Sequence, residues 1–350
     1  MPKHSIIKRT LMSLTDREQL ILASVVQNFV LTANPVGSRT LAKKFNIDLS
    51  SATIRNTMAD LEDMGLLAQQ HTSSGRVPTD MGYRLYVDGL MDLQELTYDE
   101  QRMITSHLEN VSKETTNLYE QMGNLLSEIT HLLSVISAPN IEYGTLDKIE
   151  IVRISSSRVM VVIVVSSGLI RTINLELDSN IKNHEIRIAT TFINQRISGL
   201  KLTEIPKVIK QRLTGEEVSK NAIIRLFLDV PEMIFATETK PEVHYGYTRY
   251  ILDQPEYNNP ENLKGIIELL EDRSIIVHLL KTRSEGVTVT IGNENQSDKL
   301  KEASVITSTY RIGDVHGTLG IIGPTRMNYS RLMAITDYIA KIVSSQLNTK

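Results

Sequence analysis

The stretch Pro35-Val-Gly-Ser-Arg-Thr-Leu-Ala-Lys-Lys-Phe45, followed by Ser50-Ser-Ala-Thr-Ile-Arg-Asn-Thr-Met-Ala-Asp-Leu-Glu-Asp-Met-Gly65, reads as two short helices joined by a turn. Pro35 disfavours helical geometry in Asn34, and Gly37 provides a turn before a helix over Ser38–Phe45, where Leu41 and Phe45 lie four apart on one face. The next helix opens at Ser50 or Ser51, and Gly65 is a natural residue to end it. Ile54, Met58 and Leu61 share one of its faces and are expected to bury. At about 100° per residue, Ala52, Asn56, Ala59 and Asp63 then point the other way, with Thr53 and Arg55 on the flanks. The first half of that outward face is neutral or basic. Asp60, Glu62 and Asp63 crowd the second half, so only the first half suits an approach to phosphate.

Upstream, Thr15-Asp-Arg-Glu18 is a capping box that predicts a helix over 15–33, carrying Leu20, Ile21, Val25 and Phe29. Downstream, Leu66–His71 and Arg76–Pro78 flank Thr72-Ser-Ser-Gly75, which predicts a hairpin. A helix is expected from Thr79, with Tyr83, Tyr86, Leu90 and Leu93 along one side. Three helices and a hairpin make a winged helix-turn-helix.

A second capping box, Thr97-Tyr-Asp-Glu100, predicts a long helix whose apolar row runs Ile104, Leu108, Val111, Thr115, Leu118, Met122, Leu125, Ile129, Leu132 and Ile136. Leu126, Leu133 and Val135 widen the stripe, which favours packing against a domain over a two-helix seam. Gly123 weakens this helix and Ala138-Pro139 ends it. From 146 to 178 the period changes to β-branched runs split by Ser155-Ser-Ser and Ser166-Ser-Gly168, a three-stranded meander. Helices follow over 183–230, ended by Pro231, then a proline-rich connection over 237–260. A helix over 262–272, strands over 275–281, 287–291, 304–311 and 316–322, and a helix after Pro324 complete an α+β chain.

At 350 residues the chain is long enough for two or three domains. Its 41% apolar content suits a packed core. No cysteine is present, which removes disulfides, thiolate metal sites and a cysteine nucleophile and suits a reducing compartment. The longest apolar run, Val159–Val165, falls far short of the ~20 residues that span a bilayer. The opening Met1-Pro-Lys-His-Ser-Ile-Ile-Lys-Arg lacks the apolar core of a signal peptide, so a cytoplasmic protein is expected, with no membrane partner. The net charge is −3, unevenly spread. Within residues 1–58, Lys3, Lys8, Arg9, Arg17, Arg39, Lys43, Lys44 and Arg55 outnumber Asp16, Glu18 and Asp48, leaving an acidic remainder.

No Walker loop, no G-x-S-x-G elbow and no H-E-x-x-H motif occurs. Gly317-Thr-Leu-Gly320-Ile-Ile-Gly323 suits a buried strand better than a phosphate cradle. The eight histidines pair with no acid at metal-ligand spacing. Hence no catalytic residue, no metal and no cofactor is expected, and the chain is not read as an enzyme. Double-stranded DNA is the better partner. Asparagine can bridge adenine, arginine can fork onto guanine, and a small apolar group can meet a thymine methyl; Asn56, Arg55 and Ala52 supply all three. Ser38, Ser50 and Ser51 sit at helix starts, where hydroxyls and free amides hold phosphates. Arg39, Lys43 and Thr53 flank the same surface, and Arg76 follows the hairpin tip, where it is expected to probe a minor groove.

Pro35-Val-Gly-Ser-Arg-Thr-Leu41, Ser51-Ala-Thr-Ile-Arg-Asn56, Ser74-Gly-Arg-Val-Pro-Thr79 with Gly82-Tyr-Arg, and Gly317-Thr-Leu-Gly-Ile-Ile-Gly-Pro-Thr-Arg-Met-Asn-Tyr329 closely resemble the HrcA family of heat-inducible transcription repressors. The resemblance reaches both ends of the chain. It implies a repressor of chaperone operons that binds the inverted-repeat CIRCE element as a homodimer, with activity modulated by the chaperonin GroEL. It also implies a winged helix (1–95), a GAF-like domain (96–144 and 241–350) and a dimerising domain inserted into it (145–240). Two rivals are a winged-helix regulator that senses a small molecule through the GAF-like domain, and an enzyme with a DNA-binding appendage. A well-formed polar pocket within 262–323 would favour the first, and convergent carboxylates or histidines in one cleft the second.

Overall fold

The computed structural model is an α+β chain and describes residues 13–45, 47–69, 75–111, 118–177, 182–235, 242–280 and 286–348. It divides into two compact units. One comprises Met1–Ile136, Val243–Thr309 and Leu319–Ala340, the other Ser137–Glu242, Tyr310–Thr318 and Lys341–Lys350.

The first unit begins with helices α1 (Asp16–Thr32), α2 (Ser38–Lys44) and α3 (Ser51–Asp63), then strands β1 (Leu67–Gln69) and β2 (Arg76–Pro78), then helix α4 (Asp80–Leu85). The capping box at Thr15 and Glu18 is formed. Strands β1 and β2 are antiparallel, with Ala68 opposite Val77. The hairpin tip, with Ser74, lies outside the described residues. Helix α4 runs into a single π-helical turn (Tyr86–Leu90) and the chain is extended at Met91. The row from Tyr83 to Leu93 is therefore not one helical stripe, and Leu93 is 66% exposed.

Helices α5 (Tyr98–Val111) and α6 (Leu118–Thr130) replace the first part of the expected long helix, and residues 112–117, with Thr115, lie outside the described residues. The remainder of the expected helix is a strand, β3 (Leu133–Ser137). His131 takes a left-handed φ of 52° and breaks the helix. A strand buried on both faces shows a continuous apolar run, which over a few residues cannot be told from a helix stripe. Gly123 has a role the periodicity hides. A methyl group there would lie 3.1 Å from the backbone nitrogen of Gly246, and one on Gly246 would lie 2.3 Å from the Gly123 carbonyl, so the two backbones need both glycines to meet.

The later elements are β7 (Val243–Tyr245), helices α12 (Pro260–Glu271) and α13 (Arg273–Leu280), and strands β8 (Val287–Ile291), β9 (Ala303–Ile312) and β10 (Val315–Pro324), followed by helix α14 (Tyr329–Asn348). All lie in this unit except Tyr310–Thr318 and the end of α14 from Lys341, which belong to the second. The sheet order is β7-β3-β10-β9-β8. Leu133, Val135, Ile266, Leu269, Ile276, Val305 and Ile322 share one core. The expected strand over 275–281 is helix α13 instead. Asp272 accepts the Ser274 amide at 3.2 Å and so starts a helix, and Ile276 and Leu280, one turn apart, both bury. The glycine-rich run from Gly317 lies within β10, buried almost throughout.

The second unit holds an antiparallel meander, β4 (Leu146–Arg153), β5 (Arg158–Val165) and β6 (Ile170–Glu176), in that order. Helices α7 (Asn183–Ile197), α8 (Ile205–Arg212), α9 (Glu216–Lys220), α10 (Ala222–Asp229) and α11 (Pro231–Phe235) follow. Pro231 opens α11 rather than only closing α10; a proline in the first helical turn loses no hydrogen bond. Val159, Val161, Ile163 and Val165 alternate into a core with Ile193, Ile224, Phe227 and Phe235. Residues Met160, Val162 and Val164 lie on the opposite face, half-buried, beside the exposed Val152 and Ile170.

Candidate nucleic-acid interface

Three helices and a hairpin position the candidate surface. Ile21, Leu22, Val25 and Val26 of α1, Leu41 of α2 and Ile54, Met58 and Leu61 of α3 are buried. Burying a large aliphatic side chain contributes about 1.5–3 kcal/mol, which fixes the rotation of α3 about its axis. Val36, just before α2, pairs with Arg76 through backbone hydrogen bonds of 2.8 and 2.9 Å, joining the turn to the hairpin.

With its inner face committed, α3 exposes Ala52, Arg55 and Asn56, while Thr53 is half-buried. Arg55 and Asn56 form no side-chain hydrogen bond or ion pair among the described residues, so Asp48 and Glu62 do not claim Arg55. Ser50 caps α3, its hydroxyl accepting the Thr53 amide at 3.1 Å, and Ser51 is the first helical residue, half-buried. On α2, Ser38 is the half-buried first residue, and Arg39 and Lys43 are exposed. The surface thus gathers one arginine and one asparagine near the start of α3, and cations along α2.

Arg76 is placed differently from expectation. It is the first residue of β2, half-buried, and its Nη2 lies 2.7 Å from Glu62 Oε2 of α3. The ion pair holds the side chain against the helix rather than leaving it free at a tip. Glu62 thereby acquires a role, which its place among three acids had concealed. Sequence reasoning also missed Asn28, buried in α1, whose Oδ1 accepts from Lys44 Nζ at 3.3 Å. A polar residue on the inner side of an apolar helix was the available signal.

A head of three helices and a hairpin, with an exposed arginine and asparagine that have no side-chain partner among the described residues, is the make-up of a nucleic-acid-binding regulator. Among the described residues, no three His, Asp or Glu side chains come together as a metal-holding group, and no helix is long and apolar enough to cross a membrane. The chain belongs to the HrcA family, which is a family of heat-inducible transcription repressors and not of enzymes. Residues 116–333 match the model of the HrcA protein C terminal domain. The heat-inducible transcription repressor HrcA of Prosthecochloris aestuarii is 35% identical over 344 residues, covering 95% of this chain and 97% of that one. The repressor of the same name from Chlorobium limicola is 36% identical, over 96% and 98% of the two chains. A crystal structure of a hypothetical protein, 23% identical, shares the fold with a TM-score of 0.57 over 97% of this chain and 99% of that one.

Proposed function

We propose that this chain represses heat-shock operons by binding an inverted-repeat CIRCE operator as a homodimer. Residues 1–95 form a winged helix-turn-helix, residues 145–240 the dimerising insertion, and residues 96–144 with 241–350 a GAF-like domain. The observation that carries this reading is the start of α3, where Ala52, Arg55 and Asn56 stand exposed, with no acid among the described residues pairing with Arg55, while the opposite face is buried. In the major groove, Asn56 bridges adenine N6 and N7, Arg55 forks onto guanine O6 and N7, and Ala52 meets a thymine methyl. Ser38, Arg39, Lys43, Ser50, Ser51 and Thr53 serve phosphates and set the register. Arg76 reaches a minor groove only after leaving Glu62.

Two-fold symmetry lets each head read one half-site. The face of the meander turned away from its helices supports the dimer: Val152, Met160, Val162, Val164 and Ile170 place apolar area there. Modulation by the chaperonin GroEL, in a cytoplasmic setting, is part of the same proposal, and membership of a family of heat-inducible repressors supports it. Small-molecule sensing is less well supported. A cavity of about 200 Å³ lined by Tyr257, Asn262, Lys299 and Glu302 is smaller than the ~300–1,000 Å³ of ordinary ligand clefts.

Titration of an inverted-repeat duplex against a scrambled one, with the parent chain and Asn56→Ala, tests the reading. A preference of about 10³-fold or more is expected for the parent, shrinking in the variant. Equal affinity for both duplexes overturns it.

A further inference from the structure

Helix α4 follows the hairpin directly and meets a tight turn, Gly292–Asn295, with two side chains one helical turn apart. Asp80 Oδ2 accepts from the backbone and side-chain nitrogens of Asn293, both at 3.0 Å. Arg84 forks onto Glu294, with Nε 3.1 Å from Oε1 and Nη2 donating to Oε2, and Nη2 also reaches the Val289 carbonyl at 2.7 Å. Glu294 Oε2 is itself steadied by the Ile291 amide at 2.9 Å. The turn must approach closely, since a Cβ on Gly292, which has φ +52°, would lie 2.2 Å from Asp80 Oδ2.

A second arginine makes a matching contact at the far end of α1. Arg326, in the loop before α14, donates from Nη1 to the Val30 carbonyl at 2.9 Å, while Nη2 lies 3.1 Å from Glu256 Oε2. Val30 is in the last turn of α1, where carbonyls lack helical partners and a cation is favoured. The side chains of Arg84 and Arg326 are each only 13% exposed. Between the two clamps the buried rings of Tyr83 and Tyr329 lie 5.9 Å apart, and Ser330 Oγ accepts the Gln94 amide at 2.7 Å. No residue of this interface is on the outward face of α3.

We propose that Arg84 and Arg326 are positioning residues for operator reading, an inference that rests on the DNA-binding function above: they hold the three-helix head at one fixed attitude on the sheet that contains β8. In a dimer, binding of the second half-site is intramolecular, and its effective concentration is highest when the heads already stand at the operator's spacing. Heads free to swing spread that concentration over many spacings. The clamps therefore confer the preference for one half-site separation and leave base reading to α3.

The test uses the full chain, with Arg84→Ala/Arg326→Ala and, as a wedge that keeps every charge, Gly292→Ala. Affinities are measured for a single half-site, the matched operator, and operators with the half-sites shifted by a few base pairs. Expected are half-site affinities within about threefold of the parent, a loss of about tenfold or more on the matched operator, and a flattened dependence on spacing. Unchanged operator affinity and spacing preference overturn the proposal. So does a gain in operator affinity, which would make the contact a brake, or an equal loss on the half-site, which would make it only a support of the head's fold. If the parent chain prefers no operator, the DNA reading itself fails. The clamp is then decided by spin-label distances between Leu31→Cys and Ile267→Cys, both exposed in a chain without cysteine. The distribution broadens when the arginines are removed if they clamp, and equal widths overturn the idea.

Discussion

Arg76 Nη2 lies 2.7 Å from Glu62 Oε2, and this pair fastens strand β2 to the acidic end of α3. It neutralises one of the carboxylates that would otherwise repel DNA near the recognition surface. The two side chains are 20% and 31% exposed, between a surface pair and a buried one, so a coupling of about 1 kcal/mol is expected in a double-mutant cycle. Arg76→Ala and Glu62→Gln should each lower the denaturant midpoint, and the double variant should lose less than the two losses combined. Strict additivity would show that the pair contributes nothing to the head.

The contacts to DNA should divide by role. Asn56→Ala or Arg55→Ala is expected to cost about 1–3 kcal/mol on the operator and to loosen base preference. Lys43→Ala should weaken operator and random DNA alike and reduce the salt slope by about one. Arg76→Ala should fall between them, since it acts through the hairpin's attachment to α3. Fluorescence titrations on both duplexes across a salt series separate these outcomes; equal losses for all four variants on both duplexes contradict the role given to α3.

The head was legible because its signals are local. The Thr15–Glu18 box and the Ile54, Met58, Leu61 stripe depend on spacings of three and four residues, and each formed as expected. Strand β3 and helix α13 were not legible. Leu133–Ser137 is buried because β7 and β10 flank it on either side, and that burial depends on residues more than a hundred positions away. Residues 275–280 form a short apolar run whose period favours neither state, and the deciding cap comes from Asp272. At the candidate site, the exposure of Arg55 and Asn56 was legible because it follows from helix phase. The partner of Arg76 was not, because an ion pair between α3 and β2 depends on how the hairpin folds back.

Dimerisation should be sensitive to the open face of the meander. Val162 and Val164 point away from the helices of the second unit, on the central strand. Val162→Asp or Val164→Lys should leave the circular dichroism spectrum intact, shift the mass measured by light scattering from dimer to monomer, and lower operator affinity by about 10²-fold. A variant that stays dimeric with full affinity would place the interface elsewhere.

Acid should loosen two helix starts. The backbone amide and then the hydroxyl of Thr15 hold Glu18 below the usual carboxylate range, and Thr97 does the same for Glu100, with Arg331 adding to the effect. A carboxyl whose folded value is depressed contributes stability that is present above its ordinary value of 4.5 and is lost as pH falls through the lower folded value. Both groups are half-buried, and each serves a single helix start, so the effect is small. Glu18→Gln and Glu100→Gln should each lower the melting temperature at neutral pH, and the gap to the parent should narrow as pH falls below the ordinary value of 4.5 and through the lower folded value. A gap that is constant with pH would assign the loss to packing instead.

Recovery from heat should depend on chaperonin and not on a metabolite. A repressor of chaperone operons has to lose activity as unfolded protein accumulates, and one that needs a limiting chaperonin does so by mass action, because other clients then occupy it. Val159, Val161, Ile163 and Val165 are buried in the native meander, but in an unfolded chain they and their neighbours form a seven-residue apolar segment with no charge, a composition prone to aggregation. The meander also interrupts a sheet in which β3 pairs with β10, so that pairing must close across a long loop, which slows folding. Purified protein heated, cooled and assayed for operator binding should recover poorly alone and well with added chaperonin and nucleotide. Adding an extract of small cell metabolites instead should have no effect. Full recovery without chaperonin, or recovery that follows the metabolites, would transfer the switch to a ligand bound in the proposed GAF-like domain.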